Sequence, residues 1–286
     1  MRGAADDPQR SARQGIGLRV YGVDFTCAPR RAKPITVASS FLKGRVLHLE
    51  KVEGLLTFAD FEALLSRPGP WIGGFDLPFS LPGELVRDLK WPGRWRELVL
   101  HCASLSREDF RKILDRYRTS RPVGRKYAHR RTDHPAGSSS PMKLVNPPVA
   151  LMFHEGAPRL LAAGVQIPAL ADGDRSRVAL EAYPGLLVRR QLGLRASYKS
   201  DARREQTPAR RAARRQVVAA LEEGRPLGIR LSLSLSLKKR IIAEGSADCL
   251  DAAICAVQAA WAWQRRARNY GLPPDLDPLE GWIVSA

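Results

Sequence analysis

The run Arg19-Val20-Tyr21-Gly22-Val23-Asp24-Phe25 constrains the fold more than any other stretch of the chain. Its β-branched and aromatic residues predict a buried strand, and the glycine inside it leaves room for another backbone to come close. Asp24 stands at the C-terminal end of that strand. A lone carboxylate there is ordinary, and holding a turn is the usual reason for one. Three later stretches, however, offer acids in comparable settings: 71–78 with Asp76, 177–184 with Glu181, and 248–252 with Asp248 and Asp251. The expectation is a sheet that gathers these acids at one end.

The order of elements fits that expectation. Segments 34–38 and 45–49, separated by Lys43-Gly44, complete an antiparallel three-stranded meander with the first strand. Thr57 is placed to cap a helix in which Phe58, Phe61, Leu64 and Leu65 recur at helical spacing, and Pro68-Gly69-Pro70 ends it. A connection of that length sets the strand ending at Asp76 parallel in the same sheet. Helix follows from about 83 and from 91 to 117, interrupted near 104–106. Residues 104–145 read as a basic insertion with a long irregular part, and Gly137-Ser138-Ser139-Ser140 within it as flexible. Segment 148–164 reads as a helix broken at Pro158.

Beyond the strand at 178–182 comes a short helix, then a basic block. Pro208 opens a helix with Val217, Val218 and Leu221 on its buried side. Segment 231–237 alternates like a strand but is assigned to irregular or helical structure on the core. The longest helix spans about 243–268, its first half apolar on several faces, and 280–284 returns as a short packed segment. Residues 1–17 read as a polar, mobile tail, and 18–286 as one domain.

Charge narrows the partners. The chain of 286 residues carries a formal net charge of +18, which draws it to polyanions, nucleic acid first. No apolar run nears the roughly 18 residues that cross a bilayer, and no apolar segment follows the basic N-terminus as in a signal peptide. Cys27, Cys102, Cys249 and Cys255 show no CxxC spacing, so they read as reduced, mostly buried thiols of a cytoplasmic protein. Nor does the sequence hold a GxxxxGK[ST] phosphate loop or a GxSxG elbow.

Phosphodiester hydrolysis by two metals needs several carboxylates around the ions, and Mg²⁺ or Mn²⁺ takes oxygen ligands while keeping much of its water. Parallel strands deliver their C-terminal ends to one edge of a sheet, so Asp24, Asp76 and Glu181 are candidates to converge. Asp248 and Asp251 lie three apart on a helix and share a face. Each acid also has a structural reading: a turn for Asp76, a buried salt bridge for Glu181, a helix N-cap for Asp248. Asp251, among Leu250, Ala252, Ala253 and Ile254, is the hardest to explain without a cation, because an unpaired charge there is costly.

The segments Val20-Tyr21-Gly22-Val23-Asp24, Gly74-Phe75-Asp76-Leu77-Pro78-Phe79, Glu181-Ala182-Tyr183-Pro184, Asp248-Cys249-Leu250-Asp251-Ala252 and Glu280-Gly281-Trp282-Ile283 occur in an order that resembles domain-of-unknown-function family 429. That family is described as predicted nucleases with a ribonuclease-H-like fold. The resemblance implies an α/β fold with a mixed sheet, three antiparallel strands and then parallel ones, flanked by helices. It also implies a metal site at Asp24, Asp76 and the Asp248/Asp251 helix.

The expected function is therefore a metal-dependent nuclease using Mg²⁺ or Mn²⁺. Asp24 bridges the ions, Asp76 and Asp251 flank them, and Asp248 supports; Glu181 and Lys199 are further candidates. Arg118, Arg121, Arg125, Lys126, Arg130, Arg131, Arg203 and Arg204 are the candidate phosphate contacts, with a solvated loop as their structural alternative. The rival function is a nucleic-acid-binding protein of the same fold without turnover. A sugar-kinase-like phosphotransferase is disfavoured by the lack of duplicated domains and glycine-rich phosphate loops.

Overall fold

The computed structural model describes residues 17–286, so the stretch read as a tail lies outside the described residues apart from Gly17. Strands β1 (Leu18–Asp24), β2 (Ile35–Lys43) and β3 (Val46–Leu55) form the antiparallel meander that the sequence predicts. Helix α1 (Phe58–Leu65) follows. Thr57 Oγ1 accepts from the Asp60 N–H at 3.1 Å and the Asp60 carboxylate accepts from the Thr57 N–H at 3.0 Å, a capping box that fixes where the helix starts. It returns the chain to β4 (Trp71–Asp76), parallel to β1.

Helices α2 (Gly83–Asp88), α3 (Trp95–Ser104), α4 (Arg107–Ser120), α5 (Asp133–Ala136) and α6 (Val149–Ala162) come next. They lead into β5 (Val165–Gln166) and β6 (Asp174–Glu181), and β6 runs parallel to β4. A π-helical turn at Leu186–Gln191, helix α7 (Pro208–Glu223), strand β7 (Arg230–Leu233), helix α8 (Leu235–Ala243) and helix α9 (Asp248–Gln264) complete the order. The sheet reads β5-β6-β4-β1-β2-β3-β7, three antiparallel strands flanked by parallel ones, a ribonuclease-H-like mixed sheet.

The period of two along β1 explains the two layers. Tyr21 and Val23 face a core built with α1, α3, α4 and α6, whereas Val20 faces a second core built with α7, α8 and α9. Gly22 shares the second face. A Cβ on Gly22 would stand 1.9 Å from the Ala252 carbonyl oxygen, and one on Gly74 2.3 Å from that of Cys255. Helix α9 thus rests its backbone directly on the two central strands, and only residues without a side chain allow it.

Three local expectations are corrected. Pro158 does not break α6, because burial of Leu151, Phe153, Ala157 and Leu160 along the helix outweighs one missing ladder bond. Segment 231–237 divides: Leu231 and Leu233 belong to β7, parallel to β3, and Ser234 then caps α8 by accepting from the Leu237 N–H at 3.2 Å. The irregular part of the insertion is tied down rather than loose, since the Ser140 hydroxyl donates to the Ala128 carbonyl and Arg130 is buried against Glu181 and Asp133. The four cysteines are free and buried, and no helix of the described residues is long and apolar enough to cross a membrane.

Candidate functional site

The acid cluster follows from strand register. Val20, Gly22 and Asp24 pair with Ile72, Gly74 and Asp76, so both aspartates end adjacent parallel strands and point to the α9 face. The glycines bring α9 onto that face with its N-terminus at the strand ends. Asp248 and Asp251 lie in its first turn, so their side chains sit at the strand ends beside Asp24 and Asp76. Asp248 is not the N-cap: Ala247 holds that position at φ +63°, and Glu244 accepts from the Cys249 N–H at 2.6 Å instead.

Two of these acids have side-chain cations and two do not. The Lys33 ammonium donates to Asp248 Oδ1 at 2.7 Å and also to Asp201 at 3.2 Å. Asp251, fully buried, accepts from the Tyr198 hydroxyl at 2.6 Å and from the Lys199 ammonium. Tyr198 is positioned in turn by the buried Arg214, whose guanidinium donates to its carbonyl at 2.7 Å and to that of Ile242 at 2.9 Å. The carboxylates of Asp24 and Asp76 make no ion pair or side-chain hydrogen bond among the described residues.

Electrostatics record the crowding. Burial, then the charges of Asp251, Asp248 and Asp76, hold the Asp24 carboxyl well above the usual range against the opposing pull of Lys199. Burial chiefly, with Asp251 and Glu181 adding and Lys199 opposing, pushes Asp76 up to about 7. Burial pulls the Lys199 ammonium down, but Asp251, with Tyr198, Asp24 and Asp76, more than reverses this and holds it well above its ordinary value. Each group reports the same surplus of negative charge at the strand ends.

Glu181 is near this cluster but not part of it. Val178 and Leu180 of β6 face the α9 core, so Ala179 and Glu181 face the other side of the sheet. There Glu181 accepts from the Arg130 guanidinium at 2.6 and 2.8 Å and from the Phe79 N–H at 2.9 Å. Arg130 also binds Asp133 at 3.0 Å and is 2% exposed. This is the buried salt bridge weighed for Glu181, and it withdraws Arg130 from the candidate phosphate contacts. The C-terminal segment closes over the same network. Glu280 accepts from the N–H groups of Gly83 at 2.6 Å and Arg131 at 2.9 Å, and the Val284 N–H donates to the Glu181 carbonyl at 2.9 Å.

The remaining basic candidates divide as well. Arg118, Arg121 and Arg131 pair with Asp115, Glu84 and Asp275 at 2.8–2.9 Å. Arg125, Lys126, Arg203 and Arg204 are exposed, and their side chains make no ion pair among the described residues. A cleft of about 630 Å³ opens over the acids, walled by Lys33, Lys199, Arg189, Tyr183 and the 138–139 turn. Lys33, Tyr183 and Arg189 escaped sequence reasoning. Nothing local marks Lys33, since it and Asp248 lie 215 positions apart, and Tyr183 stood in a recognised segment without a role of its own.

The donor set at the strand ends is all oxygen, as a hard divalent cation requires. Among the described residues Asp24 and Asp76 are unpaired, and burial first and neighbouring acids second press them toward neutrality, which a bound cation would offset. Among the described residues, however, no group of three or more His, Cys, Asp or Glu side chains is arranged to hold a metal ion. The fit is thus to an ion on two carboxylates, with water or substrate oxygens supplying the rest.

A family model described as "Protein of unknown function (DUF429)" matches residues 22–275. Comparison with curated proteins and with solved structures gave no match.

Proposed function

The chain belongs to the DUF429 family of proteins of unknown function, and on that premise we propose that it hydrolyses nucleic-acid phosphodiester bonds with the help of Mg²⁺ or Mn²⁺. The observation that carries this reading is the pair Asp24 and Asp76, in register on neighbouring parallel strands and, among the described residues, without an ion-pair partner, at the floor of a cleft whose walls are basic. These two carboxylates would hold the ion, with Asp251 and Asp248 behind them. A divalent cation bound there supplies polarisation of a phosphoryl oxygen and a water of lowered pKa.

The chain's own residues do the rest. Lys199 and Tyr198 hold the Asp251 carboxylate in place. Lys33 does the same for Asp248, and both lysines add positive potential where a phosphate enters. Arg125, Lys126, Arg203 and Arg204 attract the backbone without sequence preference, which makes binding fall with salt.

The test is cleavage of labelled DNA, RNA and hybrid strands with Mg²⁺, with Mn²⁺ and with chelator. Cutting that needs the metal and disappears in Asp24→Asn supports the hydrolase. One observation favours a second reading, a binding protein without turnover: Lys33 and Lys199 already neutralise two of the four acids. Salt-sensitive binding with no cutting in either metal would establish that reading instead.

A further inference from the structure

Arg189 leaves the π-helical turn with its side chain exposed and, among the described residues, with no hydrogen-bond or ion-pair partner. Arg130, the other arginine of the cleft wall, is bound to Glu181 and Asp133. The free guanidinium shares the cleft with Asp24, Asp76 and Lys199 and stands beside Tyr183. Its charge opposes the burial that raises the Tyr183 phenol.

Tyr183 offers a fixed surface. Its N–H donates to Gln258 Oε1 at 3.1 Å, and its ring lies over Gly185, where an added Cβ would be 2.5 Å from the ring carbon bearing the hydroxyl. A second part of the cleft lining is fastened to the same segment. Arg190 packs on Gly137, at φ +63°, so closely that a Cβ there would be 2.7 Å from its Nε. Gln191 Nε2 donates to the Ser285 carbonyl at 2.7 Å. Ser139, two residues beyond the glycine that Arg190 packs on, also lines the cleft.

We propose that Arg189, Tyr183 and Ser139 form a nucleotide subsite beside the acid cluster, binding the phosphate next to the reacting one and the base or sugar attached to it. The assignment rests on the hydrolase reading only for which phosphate reacts. Guanidinium is the side chain suited to clamp a phosphate, and a half-buried tyrosine gives a base a face to stack on. The cleft is of the size that encloses a small ligand, so it admits one or two nucleotides of an unpaired strand and not a duplex. Stacking on Tyr183 likewise needs a base freed from its neighbours.

The experiment is calorimetric binding, with Ca²⁺ present, of a thymidine dinucleotide carrying a 5′-terminal phosphate and of the same dinucleotide without it. The full-length protein should prefer the phosphorylated form by about tenfold or more, the worth of a charged hydrogen bond. Arg189→Gln should erase that preference with the melting temperature unchanged, because Arg189 holds no other group among the described residues. Tyr183→Leu should weaken both dinucleotides by about fivefold or more. A preference that survives Arg189→Gln, no preference at all, or no binding of either dinucleotide overturns the subsite. A blunt duplex that binds as tightly as the single strand overturns the unpaired-strand assignment. Metal-dependent cleavage, measured separately, reports on the hydrolase reading, so the two can fail independently.

Discussion

The Lys199 ammonium sits on the carboxylate of Asp251, a side chain with no solvent exposure, while the lysine itself remains 42% exposed. The pair therefore joins a buried charge to a cation that can leave. Removing the lysine leaves the Asp251 carboxylate, among the described residues, with the Tyr198 hydroxyl as its one side-chain partner. For a fully buried pair the cost would be about 3–5 kcal/mol, and exposure of the lysine lowers it to roughly 1–3 kcal/mol. Lys199→Met should lose that much in urea unfolding with chelator present. If a divalent cation binds among these acids, saturating Mg²⁺ should restore more stability to the variant than it adds to the wild type. Equal gains in the two proteins would remove Asp251 from the metal site.

The raised Asp76 carboxyl makes a stability prediction of unusual sign. Its folded value of about 7 lies above the ordinary 3.8. Between those limits the folded protein binds more protons than the unfolded chain, so this group's contribution to stability falls as pH rises from about 4 to 7. Lys199, Asp251 and Glu181 all act on it, so the clean readout is a difference between proteins. Without metal, Asp76→Asn should match the wild type near pH 4 and exceed it by a few kcal/mol above pH 7. Wild-type affinity for Mg²⁺ should climb over the same interval, since the ion needs the ionised acid. A stability difference that is flat with pH would show that Asp76 titrates normally.

Much of this arrangement was legible in the sequence, for reasons that particular residues make plain. Asp24 and Asp76 each follow a buried strand with a glycine two positions back, so a matched register brings both acids to one face. Asp251 announced itself by standing charged among apolar neighbours. Glu181 misled because its strand ends at the same edge, yet the side-chain period of two sends it to the opposite face, toward Arg130. The lysines on Asp248 and Asp251 lie on irregular segments, where no periodicity predicts a partner. Segment 231–237 mixed two signals because a strand and a helix cap meet within it.

Arg130 should behave as a structural residue and not as a phosphate contact. It is 2% exposed and holds two buried carboxylates, those of Glu181 and Asp133. Arg130→Met leaves both without their cation and should cost about 3–5 kcal/mol. Arg130→Lys should recover little, because one ammonium cannot reproduce the forked contact with Glu181. Chemical denaturation measures both. A variant of wild-type stability that had lost only nucleic-acid affinity would return Arg130 to the binding surface.

Gly22 tests whether close approach of α9 is what assembles the site. A methyl group there would fall 1.9 Å from the Ala252 carbonyl oxygen and 2.3 Å from the Ala256 nitrogen, both helix backbone that no rotamer change can clear. The helix must retreat from β1, taking Asp248 and Asp251 away from Asp24 and Asp76. Gly22→Ala should cost about 1–3 kcal/mol, the usual penalty of overpacking, and should weaken Mg²⁺ binding by more than its stability loss explains. Gly44→Ala makes the control, since that turn glycine has nothing within 4 Å of an added Cβ and lies outside the site. It carries a backbone penalty of its own, from a φ of +58°, with no displacement of α9. Comparable stability loss in the two variants, with Mg²⁺ affinity reduced only in Gly22→Ala, is the expected result by denaturation and calorimetry. Unchanged affinity in Gly22→Ala would mean that the acids of α9 take no part in holding the ion.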